Sequence, residues 1–152
     1  MPKQYNIDQI LAQKPDKAQC DLCGALETAG GLQTPGALNA AETTFLAAFN
    51  CWGGIECEGL NGWLLNTSDP KTFKQAVDAF RTIGASKRAD ALWRVASLFP
   101  GSTLPADRDE FAEVVTDDQH NEFYEEIEEQ MREDDIGVLL HTYVTEHIRE
   151  FK

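Results

Sequence analysis

The sequence predicts an all-α fold, a single compact domain of about five to seven helices with a loop-rich N-terminal part. Three observations predict it. From Pro70 onward every apolar pattern recurs at spacings of three and four, the signature of a helix with one buried face. No segment shows the sustained alternation of a half-buried strand. Eight of the eleven glycines, and all four cysteines, fall within residues 20–62, so punctuation is concentrated early and sparse later.

Residues 1–37 read as a loop-rich N-terminal segment and 38–152 as the helical domain. Residues 1–35 are expected to be dispensable for folding. A first helix is expected from Ala37 to about Asn50, opened by Thr34-Pro35. Asp69-Pro70 reads as cap plus first helical residue, because proline lacks the N–H that a helix start leaves unpaired. Phe73, Ala76, Val77, Phe80 and Ile83 then form a stripe that Gly84 ends. Ser86 is the expected cap of the next helix, with Ala89, Leu92, Trp93, Ala96 and Phe99 inward and Pro100 as its stop. Pro105 opens another, with Phe111, Val114 and Val115 inward. Asp117 or Asp118 caps a further helix that buries Phe123, Ile127 and Met131, and the last runs from Ile136 to Phe151.

Charge divides the chain differently. Of 152 residues, 26 are Asp or Glu and 13 Lys or Arg, a formal net charge of −13. Residues 1–108 are nearly neutral, with 11 acids and 10 bases, whereas residues 109–152 hold 15 acids and 3 bases. Such a surface repels nucleic acid and anionic membranes and attracts basic proteins. Direct DNA or RNA binding is therefore not expected. No apolar run approaches the ~18 residues of a membrane span. The start, MPKQYNIDQI, lacks the apolar core of a secretory signal, so a cytoplasmic location is expected.

The segment Cys57-Glu58-Gly59-Leu60-Asn61-Gly62-Trp63-Leu64-Leu65-Asn66-Thr67-Ser68, the helix closing on Phe80-Arg81-Thr82-Ile83-Gly84-Ala85, and Ala89-Asp90-Ala91-Leu92 carry a resemblance. Together they resemble a bacterial all-helical family of small proteins that includes a DNA-mimic protein. Gly59, Leu60, Trp63, Leu64 and Asn66 fall on its glycine, aromatic or apolar, and asparagine positions, while Glu58 and Gly62 replace a frequent glycine and glutamine. Asp107-Arg108-Asp109-Glu110 and the closing helix with Tyr143 also fit. The likeness covers about residues 38–150. It implies an all-α fold and, in one branch, a dimer that blocks a DNA-binding protein by imitating DNA. It carries no contact residues onto named positions.

Among candidate sites the acidic face comes first. Glu122, Glu126, Glu129 and Glu133 are spaced by four, three and four, one side of a helix rising ~1.5 Å per residue. DNA presents a phosphate about every 3.4 Å of axis on each strand, so such a row offers a basic surface a comparable charge density. Acidic helices ordinarily interleave bases at i+4, and here Arg132 is the only base between Asp109 and Asp135. Glu122, Glu125, Glu126, Glu129, Glu133, Asp134 and Asp135 are the expected partner-binding residues.

Three rival constellations are weaker. Cys20 and Cys23 have zinc-ribbon spacing, but Cys51 and Cys57, with five residues between them, do not. Four reduced cysteines and no metal is the preferred reading. His120, His141 and His147 lack metal-ligand spacing, and no nucleophile elbow, phosphate loop or dinucleotide glycine pattern exists, so neither catalysis nor a cofactor is expected. Trp52, Trp63 and Trp93, with Phe45, Phe49, Phe73 and Phe80, read as core. The expected function is an acidic protein-binding module, a DNA mimic competing for a basic DNA-binding regulator. The alternative is an immunity-type inhibitor of a toxin or nuclease, and homodimerisation is left open.

Overall fold

The computed structural model describes residues 5–67 and 69–151. Among them are eight α-helices and no strand. They are α1 (Ile7–Leu11), α2 (Pro15–Thr28), α3 (Ala40–Thr67), α4 (Pro70–Thr82), α5 (Ser86–Trp93), α6 (Arg108–Val115), α7 (Asn121–Met131) and α8 (Ile136–Glu146), with short 3-10 turns between and after them. The all-α class holds, with one helix more than the upper count expected.

The central element is α3, which packs against α2, α4, α6, α7 and α8. Its apolar residues are spread around its circumference, as a helix surrounded by neighbours requires. Phe45, Leu46, Ala48, Leu60 and Leu64 are fully buried. Its start is a capping box: the Asn39 side chain accepts from the Glu42 N–H at 3.0 Å, and the Glu42 carboxylate accepts from the Asn39 N–H at 3.0 Å. Glu42 is fully buried and also accepts from the Tyr5 hydroxyl at 2.5 Å. That contact and desolvation push the Tyr5 phenol well above its ordinary value, desolvation being the larger cause.

The expectation of a loop-rich N-terminal part is corrected here. Residues 15–28 form a helix of nearly four turns, opened by Pro15 at its first position. Gly24 sits mid-helix, where glycine costs stability without breaking the helix. Turns in this part are confined to residues 12–14 and 29–39, with positive φ at Gly30, Gly31 and Gly36. Ile7, Ile10, Ala18, Leu22 and Leu26 join the same hydrophobic core as the later helices. Gln19, buried, donates to the Gly137 carbonyl at 2.8 Å and so ties α2 to α8. The helix expected over 37–50 instead starts at Ala40 and continues to Thr67, because Gly53 and Gly54 are absorbed in its interior.

One interruption in α3 is sharp. Gly59 has φ 75 and ψ 168, a conformation open essentially to glycine alone, and it bends the helix. The break orphans N–H groups at the start of the second arm. The Glu128 carboxylate of α7 accepts from the Leu60 N–H there.

Other boundaries follow local chemistry. Asp69 caps α4 as expected, accepting from the Lys71 N–H at 3.1 Å. Asp107, rather than Pro105, opens α6, accepting from Glu110 at 2.9 Å. Asp117 caps the 3-10 turn that leads into α7. Ser86 does not cap α5, since the α5 N-terminus is closed by a carboxylate from another part of the chain. The terminal helix stops at Glu146, and Ile148–Phe151 is a 3-10 turn.

The aromatic residues are core, in two groups. Phe73 centres one, 6.4 Å from Trp63, 6.1 Å from Trp93 and 6.0 Å from Phe111 between ring centroids. Phe45 joins Phe49 and Phe151 in the other, with Trp52 edge-on to Phe49. No described helix is long and apolar enough to cross a membrane.

Candidate protein-binding surface

The acidic face is built on α7. At 3.6 residues per turn, Tyr124, Ile127 and Met131 fall on one side, and all three are buried. The inward residue paired with Ile127 and Met131 is thus Tyr124, not Phe123. The Tyr124 hydroxyl donates to the Val115 carbonyl at 2.6 Å, which pins α7 to the end of α6. Phe123 lies at the margin, half-buried beneath the Arg94 guanidinium 5.3 Å above its ring. Opposite the buried side stand Glu122, Glu125, Glu126 and Glu129, all exposed.

The seven predicted residues do not act alike. Glu122, Glu125 and Glu129 lie on the solvent side of α7 and form no ion pair among the described residues. Glu126 is 3.2 Å from Arg94, which also donates to Gln130 at 2.8 Å. Glu133 is beyond the end of α7 and pairs with Lys87 at 2.8 Å. That contact, chiefly its hydrogen bond, raises the Lys87 ammonium above its ordinary value. Both pairs are exposed, and exposed pairs contribute little to stability.

Asp134 and Asp135 are caps. Asp134 accepts from the Arg88 N–H at 2.7 Å, closing the start of α5 across 46 residues of sequence. Asp135 caps its own helix, accepting from the Val138 N–H at 3.1 Å. The row expected along one helix is therefore shorter than the sequence spacing suggested. It runs from Glu122 to Glu129, about 10.5 Å at ~1.5 Å per residue, because α7 ends at Met131.

Several features escaped the sequence reading. Glu128 flanks the acidic row but turns inward to the α3 bend. Arg88 is buried, 3% exposed, with its guanidinium 5.6 Å from the Phe80 ring. A signal for it existed, since Arg88 lies four residues before Leu92 on the inward stripe. Asn66, in the family-like segment, donates to the Glu58 carboxylate; Ser68 at the end of that segment lies outside the described residues.

The cysteines are free thiols, with Cys20 and Cys57 exposed and Cys51 buried. Burial pushes the Cys23 thiol up to about 11 and raises Cys51 further. Among the described residues no group of three or more His, Cys, Asp or Glu could hold a metal ion.

Neither the curated proteins nor the solved structures yield a match. A family model, described as DMP19-like protein, matches residues 36–147. That span takes in the capped start of α3, the bend at Gly59, the acidic helix α7 and the whole of α8. With most of its length matched, the chain belongs to the DMP19-like protein family.

Proposed function

We propose that the protein is a cytoplasmic acidic binding module, a DNA mimic that competes with nucleic acid for the basic surface of a DNA-binding regulator. The observation that carries this reading is the solvent side of α7. Glu122, Glu125 and Glu129 stand there on a helix anchored by Tyr124, Ile127 and Met131, with no base within the helix. A helix held on three buried anchors keeps the backbone positions that bear these carboxylates at fixed spacing. Their axial steps of roughly 4.5 and 6 Å are of the same order as the ~3.4 Å between phosphates along a strand. A basic groove that tracks a phosphate backbone would meet a similar line of negative charge. Membership of the DMP19-like family supports the same reading.

The test is the triple variant E122Q/E125Q/E129Q. It removes three charges and leaves every carboxylate with an intramolecular partner in place. Protein captured from native lysate by the unmodified chain should be basic and DNA-binding, should elute as salt rises from 50 to 500 mM, and should be displaced by duplex DNA. The triple variant should capture it at least tenfold less well while unfolding at the same or a slightly higher temperature. Equal capture by the variant, or capture indifferent to salt and DNA, would end the mimic reading. Capture of a nuclease toxin domain instead would assign the surface to an immunity role.

A further inference from the structure

Beneath the acidic helix, between the bend of α3, the start of α5 and the end of α7, lies a cavity of about 180 Å³ lined by Ile55, Glu56, Gly59, Arg88, Glu128, Met131 and Arg132. Ile55, Met131 and Arg88 are buried, whereas Glu56 and Arg132 are exposed and stand at its mouth. Among the described residues, Nε and Nη1 of Arg88 are closed to water and have no hydrogen-bond acceptor, so an anion entering the cavity meets them once the guanidinium turns toward it. The Phe80 ring lies 5.6 Å from the guanidinium carbon. An unpaired buried guanidinium is costly unless an anion with hydrogen-bond acceptors meets it.

We propose that this cavity binds a short-chain aliphatic carboxylate, with the head group on the Arg88 guanidinium and the alkyl tail against Ile55 and Met131. Charge and shape select this class. The four ionic residues of the lining sum to zero, Glu56 and Glu128 against Arg88 and Arg132. A monoanion leaves a tolerable balance, whereas sulfate, a dianion, meets two carboxylates at close quarters. A planar carboxylate matches the in-plane N–H donors of a guanidinium. The volume corresponds to roughly six waters at ~30 Å³ each, room for a tail of a few carbons.

The charged groups facing Arg88 come from α3 and from the turn before α8. Glu56 is on α3 and Asp134 on the turn before α8, and both favour its charged form. Desolvation opposes them and is the larger effect. Asp134 is already engaged by the Arg88 backbone N–H, and Glu128 by Leu60. Among the described residues Glu56 is the lining carboxylate without such an engagement, so its swing onto Arg88 is the competing arrangement.

The experiment titrates the intact ¹⁵N-labelled protein with acetate, propionate and butyrate, replacing chloride at constant ionic strength and pH 7. The readouts are the Arg88 Nε–H resonance and the Gly59 and Leu60 amides. Saturable shifts are expected, tightening up to about fourfold per added methylene, and weaker or absent with sulfate. E56Q should bind more tightly, because it removes a competing carboxylate, and R88M should lose the response. If R88M does not fold, the Arg88 Nε–H titration in E56Q decides alone. The proposal is overturned by shifts that never saturate, by equal shifts with sulfate, or by an Arg88 Nε–H that is already held by Glu56 and ignores all three acids.

Discussion

Asp134 separates the two roles an acidic residue can play in this chain. It looks like one more negative charge in the run from Asp109 to Asp135, yet it accepts from the Arg88 N–H at 2.7 Å and closes the first turn of α5. The residue before that helix, Ala85, makes no side-chain cap of its own. Asp134→Ala should therefore cost a helix cap, typically about 1 kcal/mol. It also removes a carboxylate near the buried Arg88 side chain, which already lacks acceptors at Nε and Nη1. Together these give about 1–2 kcal/mol, or a fall of about 2–8 °C in Tm for a chain this size. Urea denaturation followed by circular dichroism, with an unchanged m value, would measure it. Glu129→Gln is the matched control, and it should leave the midpoint level or slightly raised. An Asp134→Ala loss below about 0.5 kcal/mol, the range of ordinary surface changes, would refute the assignment of Asp134 to the fold.

Three further outcomes follow from the same structure. Deleting residues 1–35 should abolish cooperative unfolding, contrary to the expectation that this part is dispensable. It strips Ile7, Ile10, Leu22 and Leu26 from the core, about 6–12 kcal/mol at ~1.5–3 kcal/mol each, against a typical total of about 5–15 kcal/mol. Gly59→Ala should destabilise by about 1–3 kcal/mol, because φ 75 with ψ 168 is strained for any side chain and the added carbon would lie 3.1 Å from Glu128. Asp117 is held below the ordinary carboxylate range, chiefly by the hydrogen bond from the Gln119 N–H. Its folded value lies below its unfolded one, so the contribution is present above the unfolded value and lost as pH falls through the folded one. Asp117→Asn should accordingly flatten the acid limb of a Tm-against-pH curve, and an unaltered limb would count against it.

The helices from α4 onward were legible because each buries one stripe against the same core. Phe73, Ala76, Val77 and Phe80 sit where their spacing places them. What misled was glycine. Its density over residues 20–62 suggested loops, but Gly24, Gly53 and Gly54 lie inside helices whose neighbours bury apolar side chains, and tertiary packing outweighs a cost of about 1 kcal/mol per residue. The acidic site was legible in composition and only partly in geometry. Nothing local in the sequence says that Lys87 and Arg94 reach Glu133 and Glu126, or that Asp134 caps a helix 46 residues away. Those pairings exist because α5 packs beside α7, and sequence spacing alone does not report which helices are neighbours.

Once the intramolecular roles are assigned, the acidity of α7 narrows to a few positions. Glu126 and Glu133 have cations, Glu128 holds the α3 bend, and Asp134 and Asp135 close helix starts. Glu122 sits in the first turn of α7, where the helix dipole favours a negative charge. Glu125 and Glu129 have no comparable account. They are exposed, four residues apart, and like charges at that spacing cost a few tenths of a kcal/mol. Glu129 also stands in the last turn, where the dipole disfavours it. Folding would be served as well or better by glutamine at both positions, so stability does not explain these two carboxylates. A surface that opposes folding and gains only when a basic partner arrives should show the two effects with opposite signs. In the triple variant the gain in stability and the loss of capture should therefore appear together, and most of both should trace to Glu125 and Glu129.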